Sequence, residues 1–365
     1  AALISKIVVR NWIESKDQSD SGIRLLQTGN VGVGEFINKK EDKSRLITED
    51  KFKDLGCTEV FPGDVLISRL PDPVGRSCLV PLLGTRLVTA VDCTILRFKK
   101  DKYLSKFFVF LTTSAKYYES ISPYLTGSSR TRISRTNLAK VILPLPSLEV
   151  QQEIVSQLDS YQKIIDGAKQ VVENYKPEIK IDPSWEMVEL GKICEIIMGQ
   201  SPPGESYNSK GEGVPLINGP VEFGPTPFSK TIRSKFTTIP TKMCRENDLI
   251  LCVRGSTTGR INIAGCDACI GRGVAAIRAH CYQPYINLII HLIRQTIYDL
   301  GSGSTFPNIN HAELSSIKIN YPPLDVQRQI VSRIEEEQRL VDASKKLIEI
   351  YQGKIKEKID EVWGQ

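Results

Sequence analysis

An internal duplication constrains the fold of this chain more than any other feature of its sequence. Residues 143–155 read LPLPSLEVQQEIV and residues 319–331 read INYPPLDVQRQIV, so that proline, leucine, an acid, valine, glutamine and Ile-Val recur at an offset of 176 positions. The match extends upstream, where the segment 127–138 aligns with 303–314 at the same offset. Two diverged copies of one module are the simplest account of this pattern.

The length of the chain agrees with two domains. Its 365 residues suffice for about two units of roughly 100–200 residues each. A hydrophobic content of 41% and a charged content of 25% are typical of globular protein rather than of a disordered chain. We predict a first globular domain over 1–146, a first long helix and linker over 147–184, a second globular domain over 185–322 and a second long helix over 323–365.

Each copy ends in a predicted long helix, over 148–176 in the first copy and over 324–363 in the second. Apolar residues recur every three or four positions along both segments, which is the a/d pattern of a coiled coil. We expect the helices to pair as an antiparallel coiled coil with the globular domains at opposite ends; the alternative is that each helix packs only on its own domain. The predicted fold class is α+β, with two tandem mixed α/β domains separated by these two long helices.

The globular parts are predicted to be rich in strands, with one apolar helix in each copy. Runs of β-branched and aliphatic residues bounded by glycine and proline indicate the strands. The predicted strands are 64–69, 88–98, 248–253, 260–264 and 274–279. The predicted helices are 102–122 and 284–300.

The net charge of +6 is unevenly distributed. Residues 99–140 hold nine basic and two acidic residues, so the whole excess lies in the first copy. This window includes 127–136, GSSRTRISRT, where arginines alternate with hydroxyl side chains after a glycine. Such a loop suits phosphate contacts and bidentate reading of guanine, although a solvated loop is the alternative. The aligned segment 303–311 has no arginine, and the second copy instead has polar clusters at 254–260 and 271–273.

Several functional classes are disfavoured by what the sequence lacks. The most apolar stretch, 285–300, is too short and too polar to span a bilayer, and the N-terminus lacks the features of a signal peptide. Nine cysteines, an odd number, favour reduced thiols in a cytoplasmic protein over a disulfide framework. Cys266 and Cys269 have metal-ligand spacing but no convincing second pair, so we predict no metal site. With three scattered histidines and no legible catalytic set, a binding protein is favoured over an enzyme.

The element Pro-Pro-Leu-x-x-Gln-x-x-Ile at 322–330 recurs as Pro-Ser-Leu-x-x-Gln-x-x-Ile at 146–154. Together with GSTFPNI at 303–309 and LGKICEI at 190–196, it resembles the target-recognition domains of a known family. These domains occur in the specificity (S) subunits of type I restriction-modification systems, and the resemblance covers essentially the whole chain. It implies that each copy binds one half-site of duplex DNA. It also implies that two methylation (M) subunits, which use S-adenosylmethionine, and a restriction (R) subunit assemble on this scaffold. This chain itself is then expected to bind no cofactor, to catalyse no reaction and to have no contact with a membrane.

Candidate DNA contacts are the polar, glycine-flanked positions beside the predicted strands. In the first copy they are Arg69, Arg76, Arg130, Thr131, Arg132 and Arg135. In the second copy they are Arg254, Ser256, Thr257, Thr258, Arg260, Arg272, Ser304, Thr305 and Asn308.

The outward faces of the long helices are expected to bind the methylation subunits. The candidate residues are Gln151, Gln152, Gln327 and Arg328, although a glutamine-rich face is often simply solvated. The rival to DNA recognition is an adaptor that carries two ligand-binding modules on a rigid helical spacer. A further rival is an enzyme whose site has no recognisable motif.

Overall fold

The computed structural model describes residues 4–8, 13–40, 43–127, 131–301 and 307–364. The chain divides into two compact units. The first comprises residues 1–173 with 343–365, and the second comprises 174–342. The last helix therefore contributes its first half to the second unit and its second half to the first.

The first unit is built from short strands followed by helices. Its strands are β1 (Ile4–Val8), β2 (Ile23–Leu26), β3 (Arg45–Ile47), β4 (Glu59–Val60), β5 (Val65–Ser68), β6 (Ser77–Leu79), β7 (Leu87–Thr89), β8 (Cys93–Phe98), β9 (Leu125–Thr126) and β10 (Arg132–Ile133). Its helices are α1 (Glu49–Asp54), α2 (Ser105–Leu111), α3 (Ala115–Ile121), α4 (Arg135–Leu138) and the long α5 (Leu148–Asn174).

The second unit is also built from short strands and helices. Its strands are β11 (Glu186–Glu189), β12 (Cys194–Met198), β13 (Tyr207–Asn208), β14 (Val214–Ile217), β15 (Phe236–Thr237), β16 (Met243–Cys244), β17 (Leu249–Cys252), β18 (Ile261–Ile263), β19 (Ala268–Ile270), β20 (Val274–Ala279) and β21 (Lys318–Tyr321). Its helices are α6 (Leu190–Ile193), α7 (Gln283–Leu292), α8 (Arg294–Leu300), α9 (His311–Ser315) and the long α10 (Leu324–Gly364).

The sheets of the two units share one topology, except that the mixed sheet of the second unit has an additional edge strand, β13. An antiparallel sheet of order β1-β8-β5-β6 in the first unit corresponds to β12-β20-β17-β18 in the second. A second, mixed sheet has the order β3-β2-β7-β4 in the first unit and β13-β15-β14-β19-β16 in the second. Each mixed sheet contains one parallel pair, β2 with β7 and β14 with β19. The duplication in the sequence is therefore a duplication of topology.

The main core of each unit lies between the antiparallel sheet and its helices. In the first unit, β5 and β8 pack against the aromatic residues of α2 and α3, with Phe98 and Tyr103 ring centroids 5.0 Å apart. In the second unit, the aliphatic face of α7 covers β17 and β20. Strands β5 and β17 are buried along their whole length, as expected for central strands covered on both faces.

The long helices α5 and α10 pair in antiparallel orientation. Within the first unit, Leu158 of α5 packs in one cluster with Ile359 of α10, while the rings of Tyr161 and Tyr351 pack in a tilted arrangement with centroids 5.3 Å apart. As residue numbers increase along α5, the numbers of the contacting residues on α10 therefore decrease. Of the a/d positions on α5, the structure buries Ile154, Leu158, Ile165 and Ala168, and the coiled-coil prediction is confirmed.

Three elements predicted as continuous are interrupted. The segment 88–98 forms two strands, because residues 90–92 turn between β7 and β8. The segment 102–122 forms two helices, because Ser114 donates its hydroxyl hydrogen bond to the carbonyl of Leu111 and accepts one from the backbone N–H of Tyr117, which begins α3. The segment 284–300 likewise breaks at Ile293, between α7 and α8. None of the helices in the described ranges is both long and apolar enough to cross a membrane.

Candidate nucleic-acid interface

In the first unit, the loop that follows β5 is joined to the segment that precedes α4. The backbone N–H of Ile133 donates to the carbonyl of Arg69 at 3.3 Å, and Arg69 Nε donates back to the carbonyl of Ile133 at 2.8 Å. The turn between β7 and β8 completes the arrangement, since the N–H of Arg69 donates to the carbonyl of Asp92 at 2.8 Å. Three segments that are distant in the sequence therefore form one edge of the unit.

The second unit has the same three-segment edge. The N–H of Ile309 donates to the carbonyl of Val253 at 2.9 Å, and the N–H of Val253 donates to the carbonyl of Gly273 at 3.0 Å. The N–H of Gly255 donates to the carbonyl of Pro307 at 2.8 Å. The polar clusters at 254–260 and 271–273 are thus brought together with residues 307–309. We call this arrangement, in either unit, the three-segment edge.

Two glycines at equivalent positions allow the first loop of the edge to turn. Gly75 has φ +87° and Gly259 has φ +85°, a region that L side chains rarely adopt. A Cβ at Gly75 would lie 2.5 Å from Ile121 Cδ1, and one at Gly259 would lie 2.8 Å from the carbonyl oxygen of Arg294. Each glycine is immediately followed by an arginine, Arg76 or Arg260.

Arg76 was predicted to face DNA, and the structure contradicts that prediction. Its side chain is buried, and its guanidinium donates four hydrogen bonds to backbone carbonyls, those of Thr28, Val31, Leu70 and Pro73, at 2.6 to 3.0 Å. The sequence could not reveal this because two of the four acceptors, the carbonyls of Thr28 and Val31, come from a turn about 45 residues earlier. Arg76 stabilises the loop from inside, and four of the five N–H donors of its guanidinium are used within the protein.

Arg69 and Arg135 are also partly engaged by the protein. Arg69 Nη1 donates to the carbonyl of Val91 at 3.2 Å, and Arg135 Nη2 donates to the same carbonyl at 3.3 Å. Burial, followed by the charge of Arg69, lowers the pKa of Arg135 from its ordinary value. Arg135 Nε is buried without a hydrogen-bond partner. These two arginines therefore stabilise the edge, and only part of their hydrogen-bonding capacity is available to DNA.

The remaining candidates divide by exposure. Arg132, Arg254, Ser256, Arg260, Arg272 and Asn308 are exposed, and Thr131 and Thr257 are half-buried. Thr258 is buried, and its hydroxyl donates to the carbonyl of Gly255 at 2.8 Å, so its predicted DNA contact is also contradicted. Arg130, Ser304 and Thr305 lie outside the described residues.

Two of the four residues predicted on the outward faces of the long helices are buried instead. Gln151 donates to the carbonyls of Lys102 and Pro146 at 3.1 and 3.0 Å and accepts from the N–H of Leu104 at 2.9 Å. Gln327 donates to the carbonyl of Pro322 at 2.8 Å. Both glutamines recur because they fix the start of a helix against its globular domain, so their outward placement was wrong. Gln152 and Arg328 are exposed as predicted.

Two contributors to these surfaces are not evident from the sequence. The turn 90–92 was read as the middle of a strand, although its carbonyls hold Arg69 and Arg135. His291 and Arg294 were read as polar interruptions of one apolar helix, whereas they lie at the break between α7 and α8 and line a cleft beside Arg260. The sequence signal that could have revealed this cleft is the His-x-x-Arg pattern from His291 to Arg294.

Most of the cysteine thiols are shielded from solvent. All nine are unpaired, and six are buried. Burial raises the pKa of Cys78, Cys194 and Cys244 to about 12. Across the described ranges, no group of three or more His, Cys, Asp or Glu side chains is arranged to hold a metal ion. Cys281 alone is exposed.

The chain is thus a duplicated module with a polar three-segment edge in each unit, joined to paired long helices. The profile of the type I restriction modification DNA specificity domain matches residues 13–174 and again 183–352. The chain therefore belongs to the type I restriction-modification specificity family. It is a DNA-sequence-recognition subunit of a type I restriction-modification complex and is not itself the catalytic subunit. The adaptor alternative is not favoured.

Known proteins resemble the chain over almost its full length. A Methanocaldococcus jannaschii protein, provisionally described as the specificity subunit of the type I restriction enzyme MjaX, is 29% identical over 93% of this chain and 86% of its own length. A chain from a structure of complex assembly and conformational transition in the type I R-M system has a TM-score of 0.60 at 21% identity, covering 98% of this chain and 97% of the other. The HsdS subunit from Thermoanaerobacter tengcongensis has a TM-score of 0.53 at 21% identity, covering 95% and 93%. The two structural matches show the fold alone.

Proposed function

We propose that the chain reads a bipartite, asymmetric target in duplex DNA, with one half-site contacted by each copy. The observation that carries this proposal is the three-segment edge, which recurs with the same backbone hydrogen bonds in both units and with different exposed side chains. The first unit offers Arg132 and Thr131, and the second offers Arg254, Ser256 and Asn308. Unlike side chains on a common backbone frame support the recognition of two different half-sites.

The chemistry of the exposed side chains fits the reading of base edges and the holding of phosphates. Arginine donates in bidentate fashion to guanine O6 and N7, and asparagine pairs with adenine N6 and N7. Each good pair discriminates against the wrong base by about 1–3 kcal/mol. In the second unit, Arg254 and Asn308 form an isolated backbone bridge, so an arginine and an asparagine lie side by side on the edge.

The partners and cofactor follow from this role as proposals. Two methylation subunits dock on the chain and a restriction subunit joins them. The methylation subunits bind S-adenosylmethionine and flip the target adenine out of the duplex, whereas this chain binds no cofactor. The unpaired cysteines support a reducing, cytoplasmic location.

The half-site assignment is tested by mapping methylated adenines in host DNA. The wild-type chain is compared with Arg132→Ala and Arg254→Ala, each co-expressed with its methylation subunits. We expect Arg132→Ala to relax the sequence of one half-site and Arg254→Ala to relax the other. Arg339→Gln, an exposed arginine on α10, is the control and retains the wild-type pattern. A pattern unchanged by both edge variants contradicts the proposal.

Docking of the methylation subunits is tested on the exposed helix residues. Arg328 lies over the ring of Tyr282 at 5.8 Å and is held at the start of α10. We expect Arg328→Glu together with Gln152→Glu to abolish co-purification with the methylation subunits. Lys346→Glu, exposed further along α10, is the matched charge reversal and leaves co-purification intact. Co-purification that survives the double change excludes this face.

A further inference from the structure

The same arginine position is used differently in the two copies. Arg76 directly precedes β6, and Arg260 directly precedes β18. Arg76 is turned inward onto four carbonyls, whereas Arg260 is exposed. Among the described residues, the Arg260 guanidinium has no hydrogen bond or ion pair within the chain. The arginine at this position is therefore exposed to solvent in the second copy, whereas in the first copy it is buried and hydrogen-bonded to the backbone.

The turn that follows β2 or β14 in the mixed sheet differs between the two copies. In the first copy, the turn Thr28–Asn30 offers the carbonyls of Thr28 and Val31 to Arg76. In the second copy, the corresponding turn is Pro220–Glu222, and the side chain of Glu222 caps it. The buried carboxylate of Glu222 accepts from the N–H groups of Asn218 and Gly219 at 3.1 and 3.2 Å.

Arg260 lines a cleft with Arg294 and His291. The cleft has a volume of about 200 Å³, and the segment 223–227 forms its opposite wall. Its lining contains two arginines and no aspartate or glutamate. Arg294 Nη1 lies 3.2 Å from His291 Nε2, and the Phe228 ring packs against the imidazole with centroids 5.1 Å apart. We call this feature the Arg260–Arg294 cleft.

The charge of the cleft comes from its arginines. Burial, followed by the charge of Arg294, lowers the pKa of His291 from its ordinary value, so the imidazole is neutral near pH 7. Two guanidinium groups without an acidic partner in the lining match an anion with several acceptor oxygens. Arginine forks bind phosphate in bidentate geometry, and phosphates are the anions that duplex DNA presents along its whole length.

We propose that the Arg260–Arg294 cleft holds a backbone phosphate of duplex DNA beside the second three-segment edge. The inference rests on the proposed function, because Gly259 ends the loop of that edge and Arg260 follows it directly. In this arrangement, a DNA strand whose bases contact residues 254–259 places its backbone phosphates beside the cleft. The second copy thereby gains a positive contact that its arginine-free segment 303–311 does not supply.

The contact is tested by the salt dependence of DNA binding. The full chain, with its methylation subunits bound, is titrated against a labelled 30-base-pair duplex of random sequence and against a duplex that carries its methylation site. The variant Arg260→Gln/Arg294→Gln is expected to bind both duplexes roughly tenfold more weakly. It should also lower the slope of log affinity against log salt by about 0.9, the value for one phosphate contact. Arg260→Lys/Arg294→Lys keeps the charges and should retain most of the slope.

Each outcome decides between specific alternatives. Arg339→Gln is the control and should match the wild type in slope. An unchanged slope in the double glutamine variant overturns the phosphate assignment while leaving the proposed function intact. A loss confined to the duplex with the methylation site means that the cleft contacts bases, which also overturns it. A wild-type complex that binds neither duplex in a salt-dependent way overturns the proposed function itself.

Discussion

Arg97 donates two hydrogen bonds to the carboxylate of Asp64, from Nε to Oδ1 at 2.7 Å and from Nη2 to Oδ2 at 2.6 Å. Arg278 repeats this fork on Asp248 at 2.8 and 2.6 Å. Asp64 also accepts from the N–H of Phe61 at 2.8 Å, so each acid ties a turn to the neighbouring strand. The arginines lie on β8 and β20, and the aspartates directly precede β5 and β17, the strands that lead into the three-segment edges. The pairs give a structural reason for an aspartate that recurs in both copies.

Breaking this pair should destabilise the first unit strongly. In Arg97→Met the nearly buried carboxylate of Asp64 loses its cation, and removing one partner of a buried pair costs about 3–5 kcal/mol. Because Arg97 itself is 23% exposed, we expect about 3 kcal/mol, measured as the free energy of unfolding in urea. The control is Arg86→Met, which breaks two exposed ion pairs, with Glu49 and Glu59, and should cost no more than about 1 kcal/mol. Equal losses in the two variants contradict the prediction.

Gln151 and Gln152 are adjacent in the sequence but should respond oppositely to truncation. Gln151→Ala leaves the N–H of Leu104 and the carbonyls of Lys102 and Pro146 without their partner, and an unsatisfied buried polar group costs about 1–3 kcal/mol. Gln152→Ala removes an exposed side chain and should change the free energy of unfolding by less than about 0.5 kcal/mol. Thermal denaturation of both variants, followed by circular dichroism, checks the difference. A similar melting temperature for the two variants would show that Gln151 does not fix the helix start.

The sequence predicted the organisation of the molecule better than the orientation of its side chains. The duplication and the heptad pattern are local or periodic, so the two modules and the pairing of α5 with α10 could be predicted from one sequence. The inward turn of Arg76 depends on carbonyls from a distant turn, and the burial of Gln151 depends on a backbone N–H 47 residues away. No residue pattern distinguishes a glutamine that fastens a helix from one that faces solvent. The Arg260–Arg294 cleft was missed for the same reason, because α7 and α8 are broken at a position where the apolar pattern continues.

Cysteine reactivity should separate one thiol from the rest. Burial raises the pKa of Cys78, Cys194 and Cys244 to about 12 and that of Cys252 to about 11. At pH 8 these thiols are almost entirely protonated as well as inaccessible, and the thiolate is the nucleophile. We expect iodoacetamide to modify Cys281 first in the native protein, with the buried thiols reacting only after addition of urea. Mass spectrometry of tryptic peptides measures the order, and early modification of Cys78 or Cys252 would contradict the described burial.

Two glycines should respond in opposite directions to the same added methyl group. Gly167 lies inside α5, and a Cβ there would meet nothing within 4 Å, so Gly167→Ala should stabilise the first unit by up to about 1 kcal/mol through helix propensity. Gly259 has φ +85° and a Cβ position 2.8 Å from the carbonyl oxygen of Arg294, so Gly259→Ala should destabilise the second unit. It should also weaken DNA binding, because Arg294 lines the cleft beside this loop. Urea denaturation and fluorescence anisotropy measure the two effects. Gly259→Ala with wild-type stability and affinity would show that the loop tolerates a side chain there, and the close approach to Arg294 would then not constrain the cleft.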